Sequence, residues 1–372
     1  MSSKTGHVDA ATALVVAGGV PRSAPGKTLV VVVNDPDRAT DTAPALRAIR
    51  DAAGKRIVHV VVATGSHTWS PAVREAHEKP LREAIGDPSR FSWHDGKDGT
   101  HKRVGEDRLD ANVVNAKDLV TIGSVEPHWF AGLTGAHKTI TVGVMHKEDI
   151  AANHVNAMQT GARPFRLEGN PVHDGFAKTL EALSEGRRIV ALQHVTSRWF
   201  GGPPLKSLAE AAPLAKSRWL RKVPRPFDFV VAVVEPPLSR TLYQAEKGIK
   251  NNEFAVKDGG AIVLEAGCED GLGPDRFFQL LLKAPDVKSA RAEIEKKGYR
   301  LGDHKAHRVR TLQARGVRIG IISATFPKAA AEAVGLIPFA TRDAAATWLR
   351  GQFGGSSRGA IVEDAAHMVV ET

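Results

Sequence analysis

Two uninterrupted apolar runs near the start of the chain flank one amphipathic segment. Lys27 to Asn34 (KTLVVVVN) is rich in β-branched residues and ends in a polar turn, the pattern of a parallel strand buried on both faces. Thr42 to Ala53 places its apolar positions at helical spacing and stops at Gly54, and Arg56 to Ala63 (RIVHVVVA) repeats the first run. The unit therefore reads strand, helix, strand. A helical stretch near Pro71 to Ala84 follows, and then two further strand candidates, Leu119 to Gly123 and Lys138 to Val144, separated by the glycine-bearing loop Ser124 to His137.

The alternation resumes after a break. Gly201 to Pro204 (GGPP) and Lys222 to Phe227 (KVPRPF) bracket a helical segment, and proline and glycine at both ends place a domain boundary near residue 222. Beyond it come a strand at Phe229 to Val234, a helix at Leu242 to Asn251, a strand at Ala261 to Ala266, a helical region from Asp275 and a strand at Arg318 to Ser323. The expected architecture is α/β: two α/β domains, residues 1–222 and 223–372, with an active-site cleft between them and functional groups on loops at the carboxyl ends of strands.

Length and composition agree with this. At 372 residues the chain exceeds one compact domain, and 42% hydrophobic with 25% charged residues is an ordinary globular balance. Cys268 is the single cysteine, which excludes an intramolecular disulfide or a cysteine zinc cluster and suits a reducing compartment. No apolar run approaches the ~18 residues of a membrane span, and the first ten residues lack a secretory pattern, so a cytoplasmic location without membrane contact is expected. The net charge of +10 comes from 51 basic residues interleaved with 41 acidic ones, without the aromatic-basic platform of a single-strand binder, so no nucleic-acid partner is expected. The densest basic stretch, Lys216 to Arg225, reads as a solvated interdomain segment.

Candidate chemistry sits where strands end. Among fifteen histidines, His67 follows Ala63-Thr64-Gly65-Ser66, His128 lies in Glu126-Pro127-His128-Trp129-Phe130-Ala131-Gly132, and His154 in Ala152-Asn153-His154. Each alone is as well explained by a structural or surface role. Gly132 to Thr139 nearly matches the phosphate-cradling G-x-x-x-x-G-K-[ST]. His137 occupies the second glycine position, however, and the β-branched Thr139-Ile140-Thr141-Val142 predicts a strand where such a loop requires a helix. As isolated features, the histidines leave open a zinc-dependent hydrolase, and the charge a cofactor-free basic binding protein.

Taken together, the motifs resemble the lactate racemase family, which depends on a nickel-pincer nucleotide. Gly123 to His154 is similar to its Pro-His-aromatic-x-Ala-Gly stretch, glycine loop, lysine and Asn-His, with Lys138 ten residues after His128 and His154 sixteen after Lys138. Asp35-Pro36-Asp37-Arg38 resembles the family's D-x-T-R, Ala63 to His67 its A-T-G-x-H, and Tyr243 to Lys247 its Y-Q-A-x-K. The resemblance runs from about residue 30 to residue 275, with Asp37 in place of threonine and Ala136 in place of a glycine.

The resemblance implies a racemase or epimerase that inverts C2 of a lactate-like 2-hydroxy acid by hydride transfer. Its cofactor would be the pyridinium-3,5-bisthiocarboxylic acid mononucleotide nickel, made by cofactor-biosynthesis proteins and joined covalently to Lys138. By position, Asp35 and Arg38 would also bind the cofactor, His154 would ligate nickel, and His67 and His128 would be the acid/base pair. Arg38, Gln244 and Lys247 would bind substrate. Gln244 and Lys247, three apart on a predicted helix, share one face.

Overall fold

Six consecutive buried residues place β1 (Leu29–Asn34) inside a sheet rather than at its edge. In the computed structural model, which describes residues 6–22, 28–38, 40–87 and 89–372, β1 pairs in parallel with β2 (Val58–Ala63). Lys27, at the start of the predicted run, lies outside the described residues. β3 (Ser89–Trp93) continues the sheet beyond β2, while β4 (Asp118–Ser124) pairs with the opposite side of β1, Val30 facing Leu119. β5 (Arg188–Val195) and an antiparallel β6 (Arg198–Gly202) complete the order β6-β5-β4-β1-β2-β3. The chain thus steps outward from β1 and then returns to its other side. The loops after β1 and β4 leave the sheet side by side, at the point where open α/β sheets bind ligands.

The helices follow from local signals. α1 (Thr42–Ala53) buries Thr42, Ala45, Leu46, Ile49 and Ala53 and stops at Gly54 with φ 63°. α2 (Pro71–Ile85) opens with Ser70 as its cap and proline in its first turn, where a missing N–H costs nothing.

A second sheet holds β7 (Phe227–Val233), β8 (Val256–Glu265), β9 (Arg318–Ile322), β10 (Ile337–Phe339) and β11 (Gly359–Val362) in the order β10-β9-β8-β7-β11. All its pairings are parallel. The strand order again reverses beside the first strand, between β7 and β11, and the segment after β7 leads into α5 (Leu242–Asn251). The mixed α/β class and the parallel sheets are as the sequence predicts.

The chain divides into two compact units. One comprises Met1–Glu126, Ala131–Asn156 and Phe165–Arg218; the other comprises Pro127–Phe130, Ala157–Pro164 and Trp219–Thr372. The contiguous part of the second unit starts at Trp219, and two short upstream segments join it. Lys216 to Arg225 spans the junction of the two units, as expected, but with regular structure: its first residues end the helix Pro204–Trp219, and Leu220–Lys222 pairs in parallel with Val369–Glu371.

One expectation fails, at residues 138–144. The predicted strand is instead a short helix, α3 (Ala136–Ile140), followed by a 3₁₀ turn at Val142–Val144. The threonines that argue for a strand place their hydroxyl protons elsewhere here: Thr141 Oγ1 donates to the His137 carbonyl at 2.8 Å, and Thr139 Oγ1, 3.2 Å from the Gly135 carbonyl, makes its shorter bond of 2.6 Å to Asn34 Oδ1. Hydroxyls satisfied in this way offset the weak helix propensity of β-branched residues. The case against a phosphate-cradling loop then rests on His137 alone, which is 1% exposed where that motif has glycine.

Candidate active site

The loop after β1 is tied to α3 by a residue that the motifs did not single out. Asn34, the last residue of β1, donates from Nδ2 to Thr40 Oγ1 at 2.8 Å and accepts on Oδ1 from Thr139 Oγ1 at 2.6 Å. A polar residue closing an otherwise apolar buried strand is the sequence signal for it. Asp35 follows, buried, and burial pushes its carboxyl up to about 6. The Arg38 guanidinium opposes that rise, the Asp37 carboxylate adds to it, and the Lys138 ammonium opposes it more weakly. Lys138, distant in sequence, therefore lies with Arg38 within electrostatic reach of Asp35.

Asp37, the departure from the family pattern, is exposed; its Oδ2 lies 3.9 Å from His67 Nδ1, and its Oδ1 accepts from Trp69 Nε1 at 3.4 Å. His67 stands on the exposed loop after β2, its ring 5.7 Å from that of Trp69.

α3 carries Lys138 against a tightly packed floor. Gly135 has φ 144°, and a Cβ there would sit 2.7 Å from Gln193 Oε1, the same oxygen that accepts from Ala136 N at 2.8 Å. A Cβ at Gly123 would approach Ala136 N to 2.6 Å. Close approach of backbone to backbone thus requires glycine at Gly123, while at Gly135 the positive φ and the Gln193 side chain require it. Lys138 itself is half-buried. Beside it, His137 shows no hydrogen-bond partner at either ring nitrogen and packs 5.2 Å from the ring of His173.

His154 ends α4 (Lys147–His154). The residue as a whole keeps some exposure, but its Nδ1 is out of solvent. Burial, then the charge of Lys138 and then His67, pushes its imidazole down to about 3. The ring is therefore neutral at physiological pH, the form that binds a metal.

The remaining predicted residues belong to the second unit. His128 packs edge-on against Phe130, ring centroids 4.4 Å apart. Phe130 in turn lies 5.1 Å from the ring of His304, whose Nδ1 bonds the Tyr299 hydroxyl at 2.5 Å. α5 is buried at most positions, with Tyr243, Gln244 and Lys247 on its half-buried face. Its other sides hold a charged core that the motifs did not reveal. Lys305 Nζ lies 2.9 Å from Glu246 Oε1 and donates to the Tyr243 carbonyl at 2.5 Å, and Glu253 pairs with Lys250 at 3.5 Å and with Arg308.

The first unit thus unites Asp35, Arg38, His67, Lys138 and His154, while His128, Gln244 and Lys247 are carried by the second. The first set fits a lysine-tethered metal nucleotide: it has a neutral imidazole out of water and a primary amine that shapes that imidazole's charge state. Among the described residues, no three histidine, cysteine, aspartate or glutamate side chains converge as ligands of one metal, as a three-ligand zinc hydrolase would need.

Comparison with known proteins adds to this. The "Lactate racemase N-terminal domain" description matches residues 21–164 and the "Lactate racemase C-terminal domain" description residues 226–303, together more than half of the chain. A lactate racemase of Thermoanaerobacterium thermosaccharolyticum is 27% identical over 293 residues, 73% of this chain and 67% of that protein. One of Lactiplantibacillus plantarum is 27% identical over 267 residues, covering 65% of this chain and 60% of that one. The fold is similar to that of the lactate racemase apoprotein from T. thermosaccharolyticum, with a TM-score of 0.84 at 21% identity, covering 99% of this chain and 94% of that one. A protein of Thermotoga maritima gives 0.67 at 14% identity, covering 97% and 96%.

Proposed function

The chain belongs to the lactate racemase family, and from that premise we propose that it inverts C2 of a lactate-like 2-hydroxy acid as a racemase or epimerase. It is an isomerase. The observation that carries the reading is the pairing of a neutral, buried His154 imidazole with Lys138 beside the switch-point loop of Asp35 and Arg38. Those residues would hold a nickel-pincer nucleotide: Lys138 by a covalent link, His154 through nickel, and Asp35 with Arg38 at its nucleotide part. When bound, that group would supply an acceptor for the C2 hydrogen as hydride.

The chain's own residues do the rest. Arg38, Gln244 and Lys247 hold the substrate carboxylate and oxygen, an arrangement that suits a guanidinium and an ammonium facing an anion. His67 and His128 take the proton of the C2 hydroxyl and return it. As the hydrogen leaves C2 with its electron pair, the hydroxyl proton passes to one imidazole and a planar 2-oxo acid remains. Return of hydrogen to the opposite face, with a proton from the second imidazole, gives the inverted product. The reading carries a cytoplasmic location and dependence on cofactor-biosynthesis proteins. Among the described residues, no helix is long and apolar enough to cross a membrane.

Co-expression with such proteins followed by intact-mass analysis tests this. We expect an adduct on the wild-type chain that Lys138→Ala lacks, together with loss of racemase activity by at least about 10³-fold. An unmodified wild-type mass with full activity on an enantiopure 2-hydroxy acid would overturn the assignment. In deuterated water the C2 hydrogen of the product should remain largely protium. Extensive early deuteration points instead to proton abstraction.

A further inference from the structure

A second imidazole cluster lies in the first unit, outside the residues assigned above. His94, just beyond β3 and 1% exposed, places its Nε2 3.2 Å from His101 Nε2, with the two ring planes 88° apart. Their hydrogen-bond networks assign the tautomers of both rings. Thr64 Oγ1 donates its one proton to the His94 carbonyl at 2.9 Å and also lies 2.8 Å from His94 Nδ1. Both contacts are made together only when Nδ1–H donates to the hydroxyl oxygen. His101 Nδ1 lies 2.7 Å from the Gly99 carbonyl, which can only accept, so that Nδ1 also carries the hydrogen. In the neutral rings neither Nε2 then carries a hydrogen, and two unprotonated nitrogens stand 3.2 Å apart.

Such a pair repels unless something with two acceptor-facing bonds joins it. A shared proton would make one ring an imidazolium. Burial, then His101, works against that at His94, with Asp95 opposing and His146 adding, and pushes it down to about 3. A divalent ion satisfies both lone pairs at once. Two imidazole nitrogens bound at ~2.0–2.1 Å and a tetrahedral angle stand roughly 3.3 Å apart, close to the 3.2 Å seen here. His146, its ring 5.0 Å from that of His101, accepts the Glu148 N–H on Nδ1 at 3.3 Å and lies 3.8 Å from the Glu148 carboxylate. It therefore flanks the pair without offering a lone pair from Nε2.

We propose that His94 and His101 form a two-imidazole site for a divalent transition ion of the zinc or nickel class, distinct from His154, with water completing the coordination. The site joins three segments. Thr64 begins the turn that presents His67, Gly96 accepts the Lys147 N–H at 2.7 Å at the start of α4, and His101 lies on the strand His101–Val104. An ion there braces the His67 turn and the helix that ends in His154.

The test uses chelator-stripped full-length protein made without cofactor-biosynthesis proteins, titrated with Zn²⁺ by calorimetry. Wild type should bind one equivalent that His154→Ala retains and that His101→Gln weakens by at least about tenfold. ¹⁵N spectra of histidine-labelled wild type should show the Nε2 signals of His94 and His101 moving together on zinc addition. Hydrogen exchange at residues 64–67 and 94–101 should slow. Equal zinc affinity in wild type and His101→Gln, or Nε2 signals that ignore zinc and report a proton shared between the rings, overturns the site. The wild-type spectra decide the matter even where a variant misfolds.

Discussion

Beside the switch-point loops of the first unit, the buried ionisable groups are the carboxyl of Asp35 and imidazoles held neutral; around α5 in the second, carboxylates and cationic side chains are held as ion pairs. His94 and His154 are each pushed down to about 3, and His137 well below the ordinary histidine value, in every case by burial first. In the second unit, burial works to raise Glu253, but the charges of Lys250 and Arg308 outweigh it and its pKa falls, while Lys250 is pushed down to about 8. A neutral ring costs little to bury and keeps a lone pair for a ligand. A buried charge must be matched by a partner, and that partner is then committed. The first unit is thereby suited to holding a metal-bearing group. The second gives its buried charges to architecture and leaves only the half-buried face with Gln244 and Lys247 for an external anion.

The largest effect should come from breaking the ion-paired core. Glu253→Ala leaves Lys250 and Arg308 buried without their carboxylate and should lower unfolding free energy by about 3–5 kcal/mol, read by urea denaturation. A loss under about 1 kcal/mol would mean that water reaches this core and that the contrast between the units is weaker than drawn.

pH separates the units next. A histidine whose folded pKa lies below its unfolded ~6.5 binds more protons when unfolded, so its stabilising effect is complete above about 6.5 and is lost as pH falls toward about 3. Asp35, raised to about 6, acts oppositely: protonation of the folded form between about 6 and 4 relieves its buried charge and offsets one histidine. With His94, His137 and His154 against Asp35, stability should fall by on the order of a few kcal/mol between pH 6.5 and 4.5. A flat stability profile over that window would remove the neutral-imidazole account.

Lys247 and Lys250 lie on one helix with opposite expectations. Lys247→Ala, on the half-buried face, should cut kcat/KM roughly 100-fold while changing stability by less than about 0.5 kcal/mol. Wild-type kinetics in this variant would show that α5 has no part in substrate binding. The smallest effect is expected at His137. Both its nitrogens are buried without hydrogen bonds, so His137→Leu should be neutral or stabilising by up to about 1 kcal/mol. A loss of more than about 2 kcal/mol would reveal a partner for the ring.

Much of the framework was legible because its signals are local. α1 and α5 begin and end at the residues that periodicity predicts, since Gly54 closes one and Thr241 caps the other with its side chain accepting from Gln244 N. The shared face of Gln244 and Lys247 follows from helical geometry. α3 was not legible, because the Thr141 hydroxyl turns back onto the preceding turn and that of Thr139 bonds Asn34 of a distant strand, choices that propensity does not record. Nor were Asn34, Gln193 and the Glu253 cluster, whose partners come from distant segments.

Sequence by itself determined the buried strands β1, β2, β4, β7 and β9, where α1 and α5 stop and which side chains follow β1 and β2, since periodicity, caps and glycine act within a few residues. The tertiary structure alone decided that β4 returns to the free side of β1, bringing Lys138 within reach of Asp35 and of His154. It also decided which histidines are stripped of water. Desolvation and Coulomb coupling depend on distance through space, and chain order does not specify that distance until the sheet has formed.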